Sequence, residues 1–122
     1  MAKAAQSFPL GVLGIRNADL VVLEFTVASG VVTEVAFPVG WALADFSSGV
    51  AALTFPKHYN RMFPFEGQED TDNASSTSRH RLMTKTIDVA AGTASVRVDD
   101  GNDGTTENPV DGTCRLAYLV GD

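Results

Sequence analysis

Only one cysteine, Cys114, occurs in the 122 residues, so no intramolecular disulfide can form and the fold must be held by its core. Basic charge is also scarce: nine Lys and Arg stand against fifteen Asp and Glu, a net charge of −6. Arg79-His80-Arg81 is the densest basic cluster. Nucleic-acid binders need cations to displace condensed counterions, so no nucleic-acid partner is expected, and anionic membranes are disfavoured on the same ground. No apolar run approaches the ~20 residues of a membrane-spanning helix. The opening MAKAAQSFPLGVLG has one lysine and no long apolar block, so it does not read as a secretory signal. A sustained helical period is missing throughout, and no repeat recurs at a fixed spacing.

What is present suits one modest domain. Hydrophobic residues make up 44% and charged residues 20%, which excludes a chain disordered by composition. Surface scaling for 12.9 kDa leaves roughly 6,300 Å² exposed of about 18,700 Å² in the unfolded chain. The negative charge is local: residues 99–122 carry six acidic side chains and only Arg115 opposite them.

Strand spacing dominates the pattern. Residues 1–19 hold scattered apolar side chains (Phe8, Leu10, Val12, Leu13, Ile15) punctuated by Pro9, Gly11 and Gly14, and read as an extended N-terminal arm. From Leu20, Val21, Leu23, Phe25 and Val27 alternate with Leu20, Val22, Glu24 and Thr26. Val31, Thr33, Val35 and Phe37 then resume the alternation, so residues 20–37 read as a hairpin turning at Ala28-Ser29-Gly30. Trp41 and Leu43 fit either a short strand or one helical turn. Ser47-Ser48-Gly49 is a turn leading into a strand over Val50–Phe55, and residues 57–65 suggest a strand interrupted at Pro64. Residues 66–81 are polar and read as a long loop. Residues 82–89 and 93–98 flank Ala90-Ala91-Gly92 as a second hairpin. A second polar loop spans 99–112, and Thr113–Val120 is the last strand, with Cys114, Leu116, Tyr118 and Val120 on one side. The expected fold is an all-β antiparallel sandwich or small barrel of about seven strands over residues 20–122.

Chemistry-bearing residues are thinly spread. His58 and His80 have no further Cys or His at ligand spacing, so they read as exposed loop histidines and not as a zinc site. Asp99-Asp100-Gly101-Asn102-Asp103-Gly104 invites a calcium reading, but Gly101 occupies a ligand position of the EF-hand pattern and Val110 stands where its glutamate belongs. Glu69, Asp70, Asp72 and Asn73 lack even the glycine. These residues read as turn formers. Cys114 falls on the core face, where a thiol is an inert small hydrophobe. No serine sits in a nucleophile elbow. Glu24 and Glu34 project from solvent faces of the first hairpin in this register and do not form a catalytic pair. No metal, cofactor or catalytic residue is assigned, and no enzyme is expected. Trp41, Tyr59, Phe63 and Phe65 suit either a sugar-stacking platform or, as the favoured reading, core or interface packing. Asn73-Ala74-Ser75 matches a glycosylation acceptor by chance spacing.

Two stretches taken together resemble a known group. Ala44–Pro56 (ADFSSGVAALTFP) feeds a Ser-Ser-Gly turn into an alternating strand ending in Phe-Pro. Asn108–Val120 (NPVDGTCRLAYLV) launches a terminal strand from a Pro-x-Asp-Gly turn. Their order and spacing resemble small all-β virion-associated proteins of tailed bacteriophages, over about residues 20–122. The resemblance implies a structural role, a capsid decoration or cement protein on the outer capsid surface. Its implied partners are the major capsid protein and further copies of itself, a trimer being a natural unit. It carries over no site residues. A carbohydrate-binding or host-adhesion module is the alternative from another class, and a tail or head–tail connector component is a third.

Overall fold

In the computed structural model, which describes residues 18–70, 81–99 and 111–121, the first hairpin forms where the alternation placed it. Strand β1 (Asp19–Ala28) returns as β2 (Val31–Ala36) through Ser29 and Gly30, at φ 51° and 83°. Two successive positive φ values make the type I′ turn that matches strand twist, and glycine supplies the second at no steric cost. The chain continues through β3 (Ala42–Leu43), β4 (Val50–Thr54), β5 (Arg61–Pro64), β6 (Gly67–Asp70), β7 (Arg81–Asp88), β8 (Thr93–Asp99) and β9 (Gly112–Gly121). All pairings are antiparallel, and no helix occurs among the described residues.

Strands β5 and β6 lie end to end along one edge of β9. Arg61 opposes Gly121, Pro64 opposes Tyr118, and the Phe65 amide donates to the Ala117 carbonyl at 2.9 Å. Pairing resumes at Gln68 opposite Arg115, shifted by one residue, so the chain bulges across residues 65–67. The two pieces therefore fill a single position, which yields two four-stranded sheets. One runs β2-β1-β9-β5/β6 and the other β7-β8-β4-β3. Their inner faces pack as a β-sandwich.

Strand β6 also pairs with β7 and joins the sheets at one corner, with Gly67 opposite Leu82. A Cβ at Gly67 would stand 2.5 Å from Leu116 Cδ2, 2.7 Å from the Arg115 carbonyl oxygen and 2.9 Å from Leu82 Cβ. Only glycine allows three strands to converge there. At the far side, the Phe46 amide donates to the Gly30 carbonyl (2.8 Å) and the Val32 amide to Asp45 Oδ1 (2.9 Å). These bonds tie the end of one sheet to the end of the other and blunt both edges.

The core comes from alternate residues of both sheets. Val21, Leu23, Phe25 and Val27 of β1, and Cys114, Leu116, Tyr118 and Val120 of β9, face Ala51 and Leu53 of β4 and Ala94, Val96 and Val98 of β8. Full burial of a Val, Leu or Phe side chain contributes about 1.5–3 kcal/mol. Trp41 bridges the halves, its ring centroid 5.5 Å from Tyr118 and 5.6 Å from Phe55.

The structure departs from the sequence expectation in three places. Nine strands among the described residues replace about seven: β3 resolves the ambiguity at Trp41–Leu43, and β6 lies inside the stretch 66–81 that reads as loop. Gly67-Gln68-Glu69-Asp70 carries no alternation because backbone pairing on two sides holds it. Third, the faces of β2 are exchanged. The two-residue turn sets Val32 opposite buried Val27, so Val32 packs inward and Val31 and Val35 stand 53% and 57% exposed. Glu34 consequently shares the face of Phe25, yet stays exposed at the sheet edge. Pro64 ends β5 and does not interrupt it. Residues 1–17 of the expected arm lie outside the described residues, as do 71–80 and 100–110 of the two polar loops; Asp19 already belongs to β1.

Candidate docking face

The outward side of β1 presents Leu20, Val22 and Glu24, each half a pleat from the core residues. Register carries these positions across the sheet in rows. Leu20 lies beside Leu119, which lies beside Phe63. Val22 lies beside Ala117, whose carbonyl holds the Phe65 amide. Leu20 is 63% exposed, Val22 48%, Phe63 39% and Phe65 49%, while Leu119 and Ala117 are half-buried between them. Together the rows expose roughly 400 Å² of apolar surface, within the range of the largest patch on a typical monomer, a size that is often functional.

Charge frames the apolar rows. Arg61, opposite Gly121, stands at one end. At the other, Arg115 Nε donates to Glu24 Oε2 at 2.9 Å. That pair is about half exposed and contributes little stability, but it polarises the rim. An apolar centre with a charged rim on a rigid sheet is the layout of a protein contact surface.

Beside these rows β5 and β7 diverge, leaving an opening of about 90 Å³ lined by Pro64, Phe65, Glu66, Met83 and Thr84. Pockets that bury a metabolite are several times larger. Behind the opening, Thr84 Oγ1 and Tyr118 Oη share a 2.6 Å hydrogen bond between the two sheets. Burial pushes the Tyr118 hydroxyl up to about 12, against the smaller lowering effect of the Thr84 bond. At neutral pH it is a protonated structural group.

The other candidates separate. Trp41 is buried against Phe55, Tyr59 and Tyr118, so the four aromatics do not form one platform: Phe63 and Phe65 are exposed on the docking face, while Trp41 belongs to the core. His58 is exposed and its ring lies tilted against Tyr59, ring centroids 4.3 Å apart. Cys114 is fully buried. Arg81 reaches Glu66 at 3.8 Å. Asp72, Asn73, the 73–75 triplet, Arg79, His80 and Asp100–Gly104 lie outside the described residues. Among the described residues no three His, Cys, Asp or Glu side chains gather as a metal site.

Sequence reasoning missed the exposed apolar face as a unit. Its signal was two large aliphatics, Leu20 and Val22, on the face that Glu24 and Thr26 mark as outward. Seeing them join Phe63 and Phe65 required the β1-β9-β5 register. No protein-family model, curated protein or solved structure matches the chain.

Proposed function

We propose that this chain is a structural virion protein of the capsid decoration or cement kind, which docks on a phage head and stabilises it. The observation that carries the reading is the exposed apolar face of Leu20, Val22, Phe63 and Phe65 on a sheet whose other side packs the core. Such a face is costly in water and is relieved by contact with a neighbour. A closed sandwich holds it without strain, and the acidic surface favours solubility. Many copies on a shell would make individually weak contacts collectively strong.

Location in a particle reconstruction tests the reading. Density fitting this sandwich on the outer capsid surface, in contact with the major capsid protein, supports it. A six- or twelvefold ring at the portal vertex indicates a connector component instead. Absence from the particle, or glycan binding through the Phe63–Phe65 face, overturns it.

A further inference from the structure

The face just described has a counterpart in the same chain. Residues 1–17 carry Phe8, Leu10, Val12, Leu13 and Ile15, with Lys3 and Arg16 and no carboxylate. All fifteen acidic side chains lie in the remaining residues, alongside only seven basic ones. The segment is thus apolar and cationic, and the body is anionic with an apolar face. Phe8, Leu10 and Val12 are spaced by two, the interval that puts side chains on one side of an extended chain.

Geometry then bears on which copy the segment meets. Strand β1 runs from Asp19 through Leu20 and Val22 toward Ala28, with the apolar rows at its beginning. The described chain begins at Ala18, one residue before Asp19 pairs with Val120 and beside the Arg61–Gly121 end of the sheet. Seventeen extended residues reach about 55 Å, several times the ~13 Å radius of gyration of a domain this size. A span of that length would reach the face of an adjacent copy.

We infer that residues 8–15 of one copy seat on the Leu20–Val22–Phe63–Phe65 face of a second copy, joining subunits head to tail. The inference rests on reading that face as a docking surface and names its first occupant. Seating there covers the apolar rows and brings Lys3 and Arg16 to an acidic neighbour. If the rotation between subunits closes, the product is a ring such as a trimer. Linked copies would then multiply weak contacts with a shell.

The test uses two variants of the full chain. One deletes residues 2–15 and keeps the face; the other, Val22→Asp with Phe63→Ser, spoils the face and keeps the segment. Unchanged β-sheet circular dichroism confirms that each folds. Mass is read by light scattering across a concentration series. The full chain is expected to self-associate, and each variant alone to lose association by at least about tenfold. Mixing the two is expected to restore a mixed complex, because one supplies the segment and the other the face.

A full chain that stays monomeric, a deletion variant that still assembles, or a mixture that does not associate each overturns the inference; a monomeric full chain whose two variants nonetheless associate marks a segment folded onto its own copy. Head binding by a monomeric chain would leave the decoration reading intact while removing this one. Self-association without head binding would do the reverse.

Discussion

The hydrogen bond between Thr84 on β7 and Tyr118 on β9 ties the two sheets beside the opening, and it gives the fold a pH signature. The Tyr118 side chain is wholly buried, and its hydroxyl moves from 10.0 to about 12. A tyrosine is neutral when protonated, so a raised value means that the folded state resists losing the proton. Stability from this group is therefore complete below pH 10 and falls as pH rises toward about 12. Two units correspond to about 3 kcal/mol in all, of which about 1.4 kcal/mol is lost by about pH 11. Tyr118→Phe removes the titrating group and leaves the Thr84 hydroxyl without its partner, at about 1 kcal/mol near neutral pH. The variant should then lose less stability than the parent on moving to about pH 11. Urea unfolding of both proteins at the two pH values reads the difference, and the exposed lysines cancel because both proteins share them. Equal losses in parent and variant would refute the sheet-bridging role, as would tyrosinate absorbance from Tyr118 near pH 10 in the folded protein.

Other substitutions probe the frame that holds the face. Gly67→Ala pushes a methyl against the Arg115 carbonyl and Leu82, and should lower stability by about 2–3 kcal/mol, seen as a lower urea midpoint with unchanged slope. Leu53→Ala, at a fully buried position, should cost about 2–5 kcal/mol, whereas Val39→Ala, at 98% exposure, should stay within about 0.5 kcal/mol. Glu24→Gln breaks the pair with Arg115 and should lower stability by less than about 1 kcal/mol, read as a small drop in thermal midpoint that shrinks in high salt.

Much of the fold was legible because most strands bury one face. Val21 to Val27, Ala94 to Val98 and Cys114 to Val120 alternate cleanly, and all of these core positions are buried in the structure. The Ser29-Gly30 and Ser48-Gly49 turns announced themselves by residue type. Where pairing replaces burial, the signal vanished. Strand β6 is polar and is held by β9 and β7, so composition marked it as loop. Strand β2 has apolar residues on both faces at a sheet end, and turn geometry, not alternation, decided that Val32 goes inward. The exposed apolar face was hidden for a related reason. Its residues come from β1, β5 and β9, which are distant in sequence, and only the antiparallel register aligns Leu20, Leu119 and Phe63 in one row. Phe63 and Phe65 drew notice as aromatics, but their association with Trp41 failed because Trp41 points into the core.

The account depends on the outward rows of β1, β9 and β5 being a surface for contact and not a misplaced part of the core. The direct measurement compares Val22→Asp/Phe63→Ser with the parent in two readouts, the thermal unfolding midpoint and retention on phage heads. An unchanged midpoint with lost retention is the expected result. A midpoint that collapses, or retention equal to the parent's, would contradict it.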